Sequence, residues 1–299
     1  MAMKKNIILL FALIAFIACE KTEPNKGNKE TFRLYASSLD TKTENDGLST
    51  LWSSGDRLMV YHAANGTTTY VKDGRFNISD TSTGLSVPNG ADPSLTDGNL
   101  YDWYVFYPYA ASIKVDNAVQ TIGSQTGTDQ EQVGNNSMKH LAGSRYPLYG
   151  KVEGIKAGEE YPKVNMKNLA SILECVVSNN SPASITVTKV EVTAPQKIVG
   201  GFTVNYSTEP PVLTASATAG STASLAVAGG DPIVVGAAAS FYIGVAPFTL
   251  SSGETLKIVV TASNGEMSDS QEFTFEASEA IEFSNGKIRK LNLLFDVAL

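Results

Sequence analysis

From residue 31 onward the apolar side chains of this chain come in short β-branched and aromatic runs, each stopped by Gly, Asn, Asp, Ser or Pro. Residues 32–36, 57–62, 68–71, 103–107, 185–192, 241–245, 256–260 and 291–295 all have this form, and many alternate apolar with polar. Such runs suit a pleated, half-buried surface, because branched and aromatic side chains pack well against cross-strand neighbours. Helices need an apolar stripe sustained over about ten residues or more. The candidates here, residues 137–143 and 165–173, are too short for a helical domain, and the second reads equally as the start of a strand. The pattern predicts an all-β chain built from antiparallel sandwiches, with a turn or two of helix at most.

Residues 1–18 are a different kind of segment. Lys4 and Lys5 precede an apolar run from Ile7 to Ala18, the form of a secretory signal peptide. The run has 12 residues, short of the ~20 that cross a bilayer as a helix. Phe16-Ile17-Ala18-Cys19 resembles a bacterial lipoprotein lipobox, in which the cysteine is acylated and the bond before it cut. Several acyl chains hold a protein on a membrane stably, since each buried methylene adds about 0.8 kcal/mol. A plain signal peptide that ends near a cysteine is the alternative. Residues 20–30 contain no apolar side chain and have the composition of a flexible tether.

The roughly 280 residues beyond the leader exceed the usual single domain, so two tandem sandwiches of about 130 residues each are expected. The polar stretch 154–162, with Gly154, Gly158, Glu159, Glu160 and Pro162, is the natural boundary. The expected organisation is a signal peptide at 1–18, a lipidated tether at 19–30, and β-sandwiches at 31–160 and 161–299. The stretch 214–230, poor in large side chains, is expected to be a loop or an edge strand.

Charge and motif content exclude several function classes. The net charge is −7 and the pI near 5.0, with no cluster of Lys or Arg, which argues against a nucleic-acid partner. With Cys19 assigned to lipid, Cys175 has no partner in the chain and reads as a buried, inert thiol. Only His62 and His140 are present, far apart in sequence, so no metal-binding histidine pair exists. No nucleophile elbow, phosphate-binding loop, dinucleotide fingerprint or calcium loop occurs. The expectation is no enzyme, no catalytic residue, no metal and no cofactor.

Several motifs follow one another along the chain: Leu51-Trp52-Ser53-Ser54-Gly55-Asp56-Arg57-Leu58-Met59-Val60-Tyr61, Asn99-Leu100-Tyr101-Asp102-Trp103-Tyr104-Val105-Phe106-Tyr107-Pro108-Tyr109, and Tyr146-Pro147-Leu148-Tyr149-Gly150. In the second half Val245-Ala246-Pro247-Phe248-Thr249-Leu250 and the closing Phe283-Ser284-Asn285-Gly286-Lys287-Ile288 continue the series. In this order the set resembles the Bacteroidetes fimbrillin (type V pilin) family. Physical chemistry gives these residues structural work: Gly55-Asp56 is a turn signal, Trp52 a core plug, and Tyr107-Pro108-Tyr109 a strand stop. The aromatics of the second motif are expected to pack one face of a sandwich.

The resemblance implies transthyretin-like sandwiches and a lipid-anchored surface protein of the outer membrane that assembles by β-strand addition. In that scheme a protease cuts after an Arg or Lys near the first strand, and a strand of another pilin or of a second copy fills the groove left behind. Here the first strand is expected at 31–36, and the nearby basic residues are Arg33 and Lys42. A cut after Lys42 releases the whole strand, whereas one after Arg33 splits it. An uncut, permanent first strand is the alternative. The sequence ends at Leu299, directly after its last expected strand, which leaves stalk, anchor and tip adhesin all open, with a host or bacterial receptor as a further partner. A second class stays in view, a surface glycan-binding lipoprotein of a polysaccharide-uptake system. Exposed coplanar Trp and Tyr rings would favour glycan binding, and a deep apolar groove under a terminal strand would favour assembly.

Overall fold

A computed structural model describes residues 31–38, 52–115, 118–123, 130–141, 147–206 and 208–299. The leader, Cys19, the tether and Lys42 lie outside the described residues. In chain order the strands of the first part are β1 (Leu34–Ser38), β2 (Arg57–Ala64), β3 (Val71–Asp80), β4 (Leu85–Pro88), β5 (Leu100–Tyr107), β6 (Ala118–Ile122), β7 (Gln130–Val133), β8 (Leu148–Lys156) and β9 (Lys163–Asn168). Then follow β10 (Ser171–Asn179), β11 (Thr186–Thr193), β12 (Gly200–Asn205), β13 (Val212–Ala215), β14 (Thr222–Ala228) and β15 (Ala238–Val245). The last are β16 (Phe248–Leu250), β17 (Thr255–Ser263), β18 (Ser268–Glu276), β19 (Ile281–Phe283) and β20 (Ile288–Phe295). The only helical turn among the described residues is a 3-10 turn at Lys139–Leu141, inside the first stretch considered for helix. The second such stretch is instead the end of β9 and the start of β10.

The chain is all-β, but its first half is not an open sandwich. Seven strands close into a barrel in the order β1-β4-β3-β2-β5-β8-β9. Every pairing in it is antiparallel except the seam, where β1 runs parallel to β9 from Tyr35↔Lys163 to Ser38↔Met166. That seam joins segments more than 120 residues apart, which no local pattern announces. β9 still belongs to the barrel, and the change of sheet falls at Leu169-Ala170, both fully buried.

The second half forms a three-stranded sheet, β15-β10-β20, and a five-stranded one, β18-β17-β11-β14-β7, which bury a common core. Leu173, Cys175, Val177, Phe241 and Ile243 from the first sheet meet Val190, Val192, Leu225, Ile258 and Val260 from the second. Most of these strands alternate, because one face looks at this core and the other at solvent; the start of β10 does not, since Ile172 is buried in a different core. The small-residue stretch expected to be a loop or edge contains β14, a strand flanked by β11 and β7. Small side chains suffice there because Ala223 and Leu225 do the burying. Two strands of the first half, β6 and β7, pair with β12 and β14 of the second, so the halves are interleaved.

A third core lies between the barrel wall and the second half. Met59, Tyr61, Tyr104 and Phe106 point outward from β2 and β5 and meet Ile172, Phe202, Val204 and Tyr206. Both faces of β2 and β5 are therefore buried, and the run from Leu58 to Ala63 carries no exposed residue. The aromatic run of β5 divides between two cores rather than packing one face as expected. Trp103, Val105 and Tyr107 fill the barrel, and Tyr104 and Phe106 fill the junction. Near-continuous apolar runs are the mark of strands covered on both sides.

Candidate functional site

β1 is short, yet its backbone and side chains are accounted for almost atom by atom. Leu34 and Ala36 are fully buried in the barrel core, with Phe32 packed against it. The Phe32 ring stacks on Trp103 at 4.9 Å and meets the edges of Phe76 and Tyr161 at 6.2 and 5.7 Å. Ring pairs of this kind add about 0.5–1.5 kcal/mol to area burial.

The edge facing β4 is bonded in an unusual way. The ladder between β1 and β4 has only two residue pairs, Leu34↔Ser86 and Tyr35↔Leu85. Side chains of the barrel body complete it. Ser86 Oγ donates to the Leu34 carbonyl at 3.0 Å, and Trp52 Nε1 donates to the Ala36 carbonyl at 2.7 Å. The Ala36 amide in turn donates to Gly84 O at 2.9 Å, and the Phe32 amide to Asp92 Oδ1 at 3.1 Å. On the opposite edge Tyr35 N donates to Pro162 O at 2.9 Å, and Ser37 Oγ to Asn165 Oδ1 at the same distance.

Two of the sequence motifs meet here. Asp56, after the Gly55 turn, accepts from Ser53 N at 2.8 Å and from Tyr107 Oη at 2.9 Å. Burial and the Asp56 carboxylate beside it push the Tyr107 hydroxyl well above the ordinary tyrosine range, so it stays protonated and donating. The Tyr107 ring stands edge-on to Trp52 at 5.3 Å, which fixes the indole where it reaches β1. Gly84 has a φ of +68°, and a Cβ there would stand 1.9 Å from Ala36 O and 2.8 Å from Trp52 Nε1. Only glycine lets this turn approach the strand. Trp52 was legible as a core plug, but its bond to β1 was not, and Gly84, Ser86 and Asp92 carry no sequence signal beyond ordinary turn chemistry.

The candidate processing residues fall at the start of this strand and beyond it. β1 begins at Leu34, so a cut after Arg33 would part it from Phe32, whose amide and ring are also held by the barrel, and would leave β1 joined to the body. Only a cut beyond Ser38 frees it, and Lys42 lies outside the described residues.

The remaining reactive groups are scattered. His62 and Asp73 form a pair inside the barrel with both side chains 3% exposed, His62 Nδ1 lying 2.8 Å from Asp73 Oδ2. His62 is flanked by Tyr101 and Trp103, 5.3 and 5.4 Å away. Burial raises the Asp73 carboxyl above its ordinary value, and the bond to His62 opposes part of that rise. His140 lies elsewhere, bonded through Nε2 to Tyr242 O at 2.9 Å. No group of three metal-ligating side chains occurs among the described residues. Cys175 is wholly buried, and burial pushes its thiol up to about 12, which leaves it unreactive. Both tryptophans are core residues, Trp103 1% and Trp52 7% exposed, so neither offers a surface for a sugar ring.

No protein-family model and no curated protein matches this sequence. Solved structures do. A candidate cell adhesion protein from Bacteroides ovatus ATCC 8483 superposes with a TM-score of 0.60 at 16% identity, over 89% of this chain and 92% of that one. One from Bacteroides uniformis ATCC 8492 gives 0.56, also at 16% identity, over 88% and 94%. A fimbrial protein from Bacteroides ovatus ATCC 8483 matches more loosely, with a TM-score of 0.40 at 12% identity, over 90% of this chain and 50% of that one. The chain shares its fold with these Bacteroides cell-adhesion proteins along nearly its whole length, in line with the fimbrillin resemblance of its motifs.

Proposed function

We propose that this protein is a lipid-anchored, fimbrillin-like component of the bacterial cell surface, a pilus subunit, anchor or tip adhesin that joins its partners by β-strand addition. In this reading residues 1–18 are removed, Cys19 carries the acyl chains in the outer membrane, and residues 19–30 hold the two β modules away from it. A cut after Lys42 then frees β1, and a strand of another pilin or of a second copy takes its place.

The observation that carries the reading is the construction of the β1 site. A terminal strand fills the seam of a barrel, its inward side chains are apolar, and the body supplies backbone donors and acceptors along both edges. Emptying such a site exposes an apolar trough and unpaired backbone groups together, and an incoming strand satisfies both. The description of the two better-superposing neighbours as candidate cell adhesion proteins supports a surface role. The burial of Trp52 and Trp103 weighs against the glycan-binding alternative.

Limited digestion of the purified precursor with a trypsin-like protease tests this. Trimming at Lys42 should be followed by oligomers in size-exclusion chromatography with light scattering. A trimmed product that stays monomeric at all concentrations would remove polymerisation from the proposal. Mass spectrometry of the native protein should find residue 19 acylated and N-terminal.

A further inference from the structure

The way β1 is seated says which strands its groove will take. The apolar residues that β1 and the segment leading into it present to the core diminish along the chain, from the ring of Phe32, two residues before the strand, through Leu34 to Ala36. Leu34 and Ala36 are wholly buried in the barrel core, and Phe32 packs against it. The Phe32 end is lined by the rings of Trp103, Phe76 and Tyr161. At the other end Ala36 is 0% exposed, its carbonyl capped by Trp52 and its amide bound to the Gly84 turn. Both contacts are to the Ala36 backbone, and its methyl lies in the closed barrel core.

We propose that the groove under β1 is a recognition site for one class of partner: an extended segment of a second protein chain, lying parallel to β9, with inward residues in the order aromatic, leucine-sized, alanine-sized. The inference rests on the strand-replacement reading above and adds a rule of selection to it. A size taper fixes register and polarity together. Sliding the strand by one residue turns Arg33 and Tyr35 inward; sliding it forward by two brings Leu34 to the alanine site, and sliding it back by two brings Ala36 to the leucine site. Reversing it brings the aromatic ring there. Each error either overfills a closed site, at about 1–3 kcal/mol even where the core yields, or leaves a larger one part-empty, at about 2–5 kcal/mol for a leucine replaced by alanine. Backbone bonds alone carry no such choice, since every chain offers the same carbonyls to Ser86 and Trp52.

The test uses the full-length chain with a specific protease site placed between Ser38 and Trp52. After cutting, fluorescent peptides of residues 31–38 compete with the resident strand, and anisotropy reads exchange. The natural peptide should enter. Its Ala36→Leu form should bind roughly 10–100-fold more weakly, the scale of an overpacked buried side chain. The Phe32→Ala form should lose a similar factor, while Tyr35→Thr, on the outward face, should change binding less than about threefold. Equal exchange of the natural peptide and of one with leucine at all three inward positions would overturn the selection rule and leave strand replacement standing. Failure of every peptide, the natural one included, with the cut strand permanently retained, would overturn both.

Discussion

Two short segments seal the two halves of this molecule, β1 the barrel and β7 the second half, and each makes one parallel pairing, β1 with β9 and β7 with β14. They bond in opposite senses. β1 puts Leu34 and Ala36 into the core and receives bonds from the body on its own carbonyls, from Ser86 and Trp52. β7 buries two glutamines instead, and their amides complete the backbone of a neighbouring strand. Gln130 accepts from Gly244 N and donates to Gly244 O, both at 2.9 Å, and Gln132 accepts from Tyr242 N at 2.9 Å. Since β15 is an edge strand, these side chains stand where a further strand would pair. The difference concerns replaceability. What faces β1 is satisfied by any backbone whose side chains fit. What faces β7 is satisfied by two particular amides in one register, so β7 is built to stay.

The largest expected effect breaks the first closure. Gly84→Ala places a methyl group 1.9 Å from Ala36 O, at a backbone conformation that already disfavours a side chain, and neither neighbour is a flexible side-chain tip. The substitution should cost about 4 kcal/mol or more, in the range of the most damaging single changes. The loss should be local to the barrel. Hydrogen exchange should show β1 and β9 amides losing protection while those of β14 and β15 keep theirs. Unchanged protection along β1 would mean that the turn can retreat and that the site is softer than its geometry implies.

Gln130→Ala attacks the second closure. It leaves the Gly244 amide and carbonyl without partners in a buried place, at about 1–3 kcal/mol for each group. Here β15 should lose protection and β1 should not. Should both halves loosen together, the interleaving of β6 and β7 with β12 and β14 would have to be read as making one cooperative unit, and the contrast between closures would not survive in the dynamics.

The sequence spoke clearly about these elements where their pattern is local. The runs of β2, β5, β11, β15 and β17 were legible because branched and aromatic residues cluster in them, and the Trp52 and Tyr107 motifs because their turns are punctuated by Gly55, Asp56 and Pro108. What stayed hidden was tertiary. Gln130-Glu131-Gln132-Val133 is not among the apolar runs, and it is a strand through its pairing with β14 and the bonds of its glutamines to β15. The barrel was hidden for the same reason, since its seam pairs Ser37 with Asn165 and nothing near either residue encodes the other. The burial of both faces of β5 was not read from its aromatic run, which was expected to pack one face of a sandwich. The candidate site was legible as an apolar first strand, and its latch at Trp52 and Gly84 was not.

The smallest expected effect sharpens the comparison through pH. Beneath Phe32 and Trp103 the barrel carries the His62–Asp73 pair, whereas the β7 closure relies on amides that do not titrate. Burial raises the Asp73 carboxyl above its ordinary 3.8, so the folded barrel holds that proton more tightly than the unfolded chain does. The stability this contributes is complete below the ordinary value and is lost as pH climbs through the folded one. In Asp73→Asn the contribution is absent at every pH, and asparagine keeps an oxygen for His62. Wild-type stability relative to Asp73→Asn should therefore fall as pH rises from 3.8. Both tryptophans lie in the barrel core, so their fluorescence in denaturant titrations follows this half without contribution from the other. A difference that stays flat with pH would show that the bond to His62 cancels the cost of burying the charge. The barrel would then be as indifferent to protons as the glutamine-sealed half.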